Sequence, residues 1–317
     1  MKAAVIRNKG ALPTIEEIDE PIQRTEDDLI LTVKASALTM VSKAVSLGSH
    51  YSSRNSFPKV AGMEGVGESK NGERFYFNGS KGMYGALAEK TLVDKNRTVK
   101  IPDELDIVTA AAIANPGMSS YAALVYRAKI TKDDVVLING ATGTAGTLAV
   151  KMAYALGAKK VIATGRNKEA LKNAGADDYL SSSDYQDDQQ TQYLYDLGKM
   201  ISDVTIVLDY LWGKPAEQIM QALYQFSDRH SEIRYIQIGS LASSDIDLPS
   251  TLLRSTNFTL MGSGLGSLNK KEVISSIEKV FELAINNHLN VPYATFKLEN
   301  IKEAWTKPSH PRPIIII

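Results

Sequence analysis

A glycine-spaced turn between a buried strand and a helix constrains the fold more than any other feature of the sequence. An apolar run at 135–138 leads into Gly140, Gly143 and Gly146, and an apolar helical run follows at 147–150. In such a turn the first glycine permits a tight bend, the second lets the backbone approach a pyrophosphate, and the third lets the helix pack closely on the strand. The pyrophosphate would lie at the positive end of the helix. The sequence therefore predicts a dinucleotide-binding turn, with a plain strand-to-helix connection as the alternative. The cofactor residues predicted in it are Gly140, Thr142, Gly143, Thr144, Ala145 and Gly146.

Strands and helices alternate around this turn. Apolar, largely unalternated runs typical of buried parallel strands occur at 135–139, 161–164, 205–209, 235–238 and 258–261. Helical stretches lie between them, at 144–156, 168–174, 189–201, 215–226 and 270–287. This alternation predicts an α/β fold with a doubly wound parallel sheet of the Rossmann type.

The two ends of the chain show a different pattern of predicted secondary structure. The first hundred residues read as short β segments separated by glycines, which is typical of a compact β-barrel. Two helices are predicted next, at 108–114 and 118–128, separated by Pro116 and Gly117. The segments after 290 are expected to complete the sheet of the first domain. We therefore expect a substrate domain of residues 1–120 plus 288–317 and an inserted nucleotide-binding domain of residues 121–287.

The end of the second Rossmann strand indicates which dinucleotide is bound. NAD sites usually place an acidic side chain there to hold the ribose 2′-hydroxyl, but this chain has Gly165. The neighbouring Arg166 offers a planar, permanently charged group that grips a 2′-phosphate, and Asn167 and Lys168 are candidate helpers. The sequence predicts NADPH, the alternative being that Arg166 points into solvent.

Composition excludes several classes of function. The chain has no cysteine, which rules out disulfides, thiolate zinc sites and cysteine nucleophiles, and no metal site is expected. Its formal net charge is 0, so no nucleic-acid partner is expected. No apolar run approaches the length of about 18 residues needed to span a membrane. The N-terminal apolar run is too short for a signal peptide, so a cytoplasmic protein without a membrane partner is expected.

Several motifs in order along the chain resemble the medium-chain dehydrogenase/reductase superfamily, and its zinc-free, quinone-oxidoreductase-like branch in particular. They are PKVAGMEGVG at 58–67, GERF at 72–75, GALAE at 85–89, NPGMSSYAAL at 115–124, the glycine turn, and GAD at 175–177. The resemblance implies a GroES-like β-barrel substrate domain, an active cleft at its junction with the Rossmann domain, and a homodimer. It also implies that the nicotinamide lies near Gly239, Ser240, Gly262 and Ser263, the alternative being that these glycines only form loops at the ends of parallel strands.

Two departures from the family pattern limit what the resemblance implies. The alcohol dehydrogenases of the superfamily bind catalytic zinc through two cysteines and a histidine, whereas this chain has no cysteine and carries Met63 at the histidine position. Glu64 is accordingly expected to be structural. The branch usually has an Asn-x-x-Asp sequence near the nicotinamide, where this chain has Thr39 and Ser42.

Without zinc, the substrate itself must be electrophilic, as a quinone or an α,β-unsaturated carbonyl compound is. The protein then supplies orientation and a polar group for the developing oxyanion. The candidate catalytic residues are Thr39, Tyr51, Tyr84 and Asn115. Tyr51 is the first choice as donor, the alternative being that it is an aromatic residue of a serine-rich loop at 49–56. Three functions remain open: an NADPH-dependent quinone or enone reductase, an NADPH-binding redox sensor or crystallin-like protein with little catalysis, and, least favoured, a zinc-free alcohol dehydrogenase.

Overall fold

The computed structural model describes residues 1–49, 53, 56–308 and 310–317. Its strands are β1 (Lys2–Ile6), β2 (Thr14–Glu17), β3 (Asp28–Ala37), β4 (Lys59–Val60), β5 (Glu64–Glu68), β6 (Arg74–Asn78), β7 (Lys90–Asp94), β8 (Thr98–Lys100), β9 (Val135–Asn139), β10 (Lys160–Gly165), β11 (Asp178–Ser181), β12 (Ile206–Asp209), β13 (Ile233–Gln237), β14 (Phe258–Gly262), β15 (Tyr293–Lys297) and β16 (Arg312–Ile316). Its α-helices are α1 (Met40–Leu47), α2 (Ile107–Ala122), α3 (Thr144–Ala155), α4 (Lys168–Asn173), α5 (Gln190–Met200), α6 (Gly213–Phe226), α7 (Ser250–Ser255), α8 (Lys270–Asn287) and α9 (Ile301–Thr306). In the described part of the chain, no helix combines the length and apolar character needed to cross a membrane.

The chain forms two compact units, of which the second is inserted in sequence into the first. The outer unit consists of Met1–Asn115 and Ile277–Ile317, and the inner unit of Pro116–Ser276. The sequence predicted these boundaries five and eleven residues later, after 120 and after 287.

The inner unit is built on a parallel six-stranded sheet with the order β11-β10-β9-β12-β13-β14. Every residue of β9 is buried, because this strand lies inside the sheet and its apolar side chains face the core on both sides. Leu137, Val207 and Tyr235 from three of the strands pack in one core with residues of α5 and α6. The predicted Rossmann-type α/β fold is confirmed.

Two elements of the inner unit escaped the sequence prediction. β11 is an edge strand with the polar sequence DYLS, and only its pairing with β10 reveals it. α7 spans six residues, too few to show an amphipathic pattern.

The outer unit contains a mixed sheet and a small antiparallel sheet. The larger sheet has the order β15-β16-β3-β5-β6-β8, with β7 also paired to β3, and the smaller has the order β2-β1-β4. β16 pairs antiparallel with β3, with Ile314 opposite Ala37. The C-terminal segment therefore completes the sheet that the N-terminal segment begins, as the sequence predicted. β2 was not predicted, because its sequence TIEE lies on an exposed edge and has no apolar alternation.

The predicted helix break at Pro116 is wrong. α2 runs without interruption from Ile107 to Ala122 and continues into a π-helical turn at Ala123–Arg127. Proline removes one helical N–H donor, but the apolar residues before and after it are buried and hold both halves of the helix in place. The Ser120 hydroxyl donates to the Pro116 carbonyl at 2.9 Å, within the same helix.

Candidate functional site

The glycine turn after β9 is joined to the neighbouring strand through its backbone. Gly140 has φ +94°, a left-handed conformation that favours glycine, and a Cβ there would lie 3.0 Å from Leu211 Cγ. The N–H groups of Gly140 and Ala141 both donate to the Thr164 carbonyl of β10, at 2.9 and 3.1 Å. The start of the turn is therefore fixed before the chain enters α3.

Gly146 lets the first turn of α3 rest on the backbone of the glycine turn. A Cβ at this position would lie 2.2 Å from the Gly140 oxygen and 2.7 Å from Ala141 Cα, well inside contact distance. The hydroxyl of Thr147, the next residue, donates to the Ala141 carbonyl at 3.0 Å. This is the close helix packing that the spacing predicts for the third glycine.

Gly143 has the opposite environment. It is exposed, and a Cβ built on it would meet only the Gly140 oxygen, at 4.0 Å. It is also the N-cap of the 12-residue helix α3, and as a glycine it brings no side-chain oxygen to the N–H groups of the first turn. Thr144 and Ala145 are half-buried in that turn. Open space beside a helix N-terminus suits a pyrophosphate, so these residues fit the group that the sequence predicts.

The end of β10 has no room for the acidic side chain of an NAD site. A Cβ on Gly165 would lie 2.9 Å from Thr142 Cγ2 and 3.4 Å from Leu171 Cδ2. The next residue, Arg166, is exposed, and its guanidinium has no hydrogen-bond or ion-pair partner in the described part of the chain. Gly165 leaves no space for a carboxylate, and the neighbouring Arg166 presents a cation. This pair suits a 2′-phosphate better than a ribose hydroxyl.

The two candidate helpers of Arg166 already have partners. The Asn167 side-chain oxygen caps α4 by accepting from the Ala170 N–H at 3.1 Å. Lys168 forms an ion pair with Asp184, with Nζ 2.7 Å from the carboxylate. Arg166 therefore presents the available positive charge at this strand end.

The remaining predicted cofactor residues follow β13 and β14. Gln237 and Gly262 are opposite each other in the two strands, and the Ser263 N–H donates to the Gln237 carbonyl at 2.8 Å. Gly239 approaches another chain segment, because a Cβ there would lie 2.6 Å from the Tyr210 oxygen. Ser240 is exposed beside it. Since the strands are parallel, the turns after β9, β10, β13 and β14 lie along one edge of the sheet, the edge where such folds bind nucleotides.

A buried polar cluster that the sequence analysis missed organises this edge. Asp209, the last residue of β12, is fully buried and accepts from Asn139 Nδ2 at 2.7 Å, the Tyr235 hydroxyl at 2.9 Å and the Leu211 N–H at 2.9 Å. Burial raises the pKa of Asp209, while these donors lower it. The cluster connects β9, β12 and β13 and holds Leu211 where it meets Gly140. An aspartate at the end of an apolar strand was the available signal.

The candidate catalytic residues that the structure describes belong to the outer unit and have separate partners. Thr39 is the N-cap of α1, and its oxygen accepts from the Ser42 N–H at 2.9 Å. The Tyr84 hydroxyl donates to the Glu20 carbonyl at 3.3 Å. Asn115 donates from Nδ2 to Glu64 at 3.0 Å. Tyr51, the first choice, lies outside the described residues. No hydrogen bond joins Thr39, Tyr84 and Asn115 to one another in the described part of the chain, so their roles stay predictions.

Glu64 is the centre of a buried polar group. Its carboxylate accepts from Asn115, from Arg312 Nη2 at 3.2 Å and from the Tyr76 hydroxyl at 2.6 Å. Burial raises the pKa of Glu64 and the Arg312 guanidinium opposes this shift. The expected structural role of Glu64 agrees with these contacts, but its ion-pair partner, 248 positions further along the chain, was not foreseen.

The side chains that could bind a metal are dispersed. Across residues 1–49, 53, 56–308 and 310–317, no three His, Cys, Asp or Glu side chains are grouped as metal ligands would be.

The comparisons with known proteins show which enzymes the chain is similar to. No protein-family model matches the chain. The solved structure of quinone oxidoreductase from Thermus thermophilus, studied also as its complex with NADPH, superposes with a TM-score of 0.80 over 100% of both chains at 23% identity, a similarity that shows the fold. The probable NADPH-dependent quinone reductase of Emericella nidulans is 28% identical over 86% of this chain and 87% of that protein. Human quinone oxidoreductase is 24% identical over 81% of this chain and 77% of its own length. The predicted resemblance to quinone oxidoreductases of the medium-chain dehydrogenase/reductase superfamily is confirmed, and with it the class of enzyme, an oxidoreductase.

Proposed function

We propose that this protein is an NADPH-dependent oxidoreductase that transfers hydride to a quinone or an α,β-unsaturated carbonyl compound without zinc. The observation that carries the proposal is the end of β10, where Gly165 packs against Thr142 and Arg166 presents an exposed cation. The names of the relatives from Emericella nidulans and Homo sapiens support the same reading.

The inner unit holds the cofactor through backbone and charge. Gly143 and the first turn of α3 receive the pyrophosphate, and Arg166 receives the 2′-phosphate. Gly239, Ser240, Gly262 and Ser263 line the same sheet edge and are assigned to the nicotinamide end. Bound NADPH supplies the hydride.

The protein's own contribution to the chemistry is a hydrogen-bond donor for the oxyanion that forms on the substrate. Thr39 is the first candidate among the described residues, because its oxygen accepts from Ser42 and its hydroxyl hydrogen remains for donation. The Tyr84 hydroxyl hydrogen is used by Glu20, and one Asn115 amide hydrogen is used by Glu64. The absence of cysteine from the sequence removes the family's zinc ligands, so the substrate's own carbonyl group must make it electrophilic.

A second candidate function is NADPH binding with little catalysis, as in a redox sensor. It is favoured by the partners that already engage Tyr84 and Asn115. NADPH oxidation at 340 nm is to be followed with 9,10-phenanthrenequinone and separately with 2-cyclohexen-1-one. Turnover of either compound supports the reductase. Saturable NADPH binding with turnover of neither compound supports the second candidate. The Thr39→Val variant tests the proposed donor.

We also propose a homodimer. β14 is an edge strand of the inner sheet and pairs only with β13 within the described part of the chain, which leaves a backbone edge for a second copy. Sedimentation equilibrium at micromolar concentration is expected to give twice the mass of the chain, and a monomer at all concentrations would contradict this part of the proposal.

A further inference from the structure

Two serines, one at the end of β11 and one in the turn that follows, form hydrogen bonds to the backbone carbonyl of Arg166. The Arg166 carbonyl accepts from the Ser181 hydroxyl at 2.8 Å and from the Ser183 hydroxyl at 2.6 Å, and the two hydroxyl oxygens lie 2.9 Å apart. Ser181 is buried, whereas Ser183 is exposed. The Arg166 carbonyl oxygen and the two serine hydroxyl oxygens thus form a closed triangle at the sheet edge to which the cofactor residues are assigned.

The two hydroxyl hydrogens within this triangle are enough to give the Arg166 carbonyl a donor in every arrangement of the three bonds. Each serine hydroxyl has one hydrogen, so two hydrogens serve three oxygen pairs. Whichever pair lacks a hydrogen, the Arg166 carbonyl, which has no hydrogen of its own, still accepts from at least one serine. The peptide of Arg166 therefore keeps its direction while its guanidinium remains exposed.

The residues on both sides of Arg166 are restrained as well. Gly165 lies against Thr142, and Asn167 caps α4. The turn that supplies the serines also supplies Asp184, which pairs with Lys168. One short segment, residues 181–184, thereby orients the backbone of Arg166 and neutralises the neighbouring cation.

We infer that Ser181 and Ser183 are positioning residues that set the preference for a cofactor carrying a 2′-phosphate. This inference rests on the proposed function, in which Arg166 contacts that phosphate. A long side chain on a fixed peptide group explores fewer directions, so less freedom is lost when it binds the phosphate. The serines act through Arg166, and NADH has no phosphate at that position. Their loss should therefore weaken NADPH binding and leave NADH binding unchanged.

The test compares the full-length protein with the Ser181→Ala/Ser183→Ala double variant by fluorescence titration with NADPH and with NADH. The dissociation constant for NADPH should rise about three- to tenfold, the effect of losing one or two neutral hydrogen bonds, and that for NADH should stay within about twofold. The matched control is Ser202→Ala, which removes a hydroxyl bonded to the Lys199 carbonyl ahead of β12, at the opposite edge of the sheet. Ser183→Thr keeps a hydroxyl and should keep the preference.

A double-mutant cycle with Arg166→Ala separates positioning from general structure. In the Arg166→Ala background, removing both serines should change NADPH binding no further. Equal weakening for NADPH and NADH, no weakening for NADPH, or full additivity with Arg166→Ala would each overturn the inference. If the double variant does not fold, Ser183→Ala alone is used, because Ser183 is exposed. A parent protein that does not prefer NADPH would instead overturn the proposed function itself.

Discussion

Alanine at two glycines of the same turn should produce opposite effects on folding and binding. At Gly146 the added methyl group would lie 2.2 Å from a backbone oxygen and 2.7 Å from a backbone Cα. At Gly143 it would meet only one atom, at 4.0 Å, and the backbone there has φ −89° and ψ 166°, which alanine adopts without strain. Gly146→Ala should therefore lower the stability of the fold, whereas Gly143→Ala should mainly weaken the binding of a ligand at the turn.

The magnitudes follow from these contacts. Gly146→Ala forces α3 away from the turn by roughly 1 Å, and overpacking of this kind costs about 3 kcal/mol at the upper end of its range. Alanine returns about 1 kcal/mol through its better helix propensity. The net loss of about 2 kcal/mol should lower Tm by about 4–8 °C for a unit of this size. Gly143→Ala replaces a favoured N-cap residue with a poorer one and should cost about 0.5 kcal/mol. Its methyl group should nevertheless raise the NADPH dissociation constant about 5- to 150-fold, the equivalent of about 1–3 kcal/mol of steric conflict.

Thermal unfolding by circular dichroism gives the first quantity and NADPH fluorescence titration the second. The reasoning requires that Gly143→Ala keep nearly the parent's Tm while losing NADPH affinity. A Gly143→Ala protein that binds NADPH as the parent does would show that the pyrophosphate does not lie at this turn. A Gly146→Ala protein with an unchanged Tm would refute the packing argument.

Two further predictions concern stability in the outer unit. Glu64→Gln leaves the buried Arg312 without its counter-charge and should destabilise the protein by about 3–5 kcal/mol in urea unfolding. Replacing Arg312 by Met in the same chain should restore part of the loss. An unchanged urea midpoint in Glu64→Gln would contradict the buried ion pair. Hydrogen bonds from Lys81 and from the backbone of Arg24 hold the pKa of Asp28 well below its usual value. The stability this gives is fully present above the unfolded-state pKa of about 4 and is lost progressively as pH falls from there through the lower folded-state pKa. Asp28→Asn should therefore lower Tm at pH 7 and lower it by a smaller amount at pH 2; a pH-independent difference in Tm would count against this assignment.

The sequence predicted the strand, turn and helix around the three glycines well, for a physical reason. Gly140, Gly143 and Gly146 act within one strand, one turn and one helix, so their spacing carries the geometry directly. The same holds for Gly165 and Arg166, which end a strand recognisable from its apolar run. Each of these residues is recognisable from its position at the end of a strand or at the start of a helix.

The contacts that the sequence did not predict join distant segments. Arg312 reaches Glu64 across 248 positions, and Asp209 accepts from Asn139 across 70. Polarity and spacing give no sign of such pairs until the sheets bring them together. The N-cap role of Thr39 is a local contact and could have been predicted, because a threonine directly before an apolar helix is a common N-cap residue.

The ratio of kcat/KM for NADPH over that for NADH, measured with 9,10-phenanthrenequinone in the unmodified protein and in Arg166→Ala, tests the central claim most directly. We expect the unmodified protein to oxidise NADPH in preference to NADH. Arg166→Ala should lower the ratio about 10- to 150-fold, the equivalent of losing about 1.5–3 kcal/mol of hydrogen bonding to a charged group. A ratio that Arg166→Ala leaves unchanged, or a protein that uses NADH as readily as NADPH, would contradict the account.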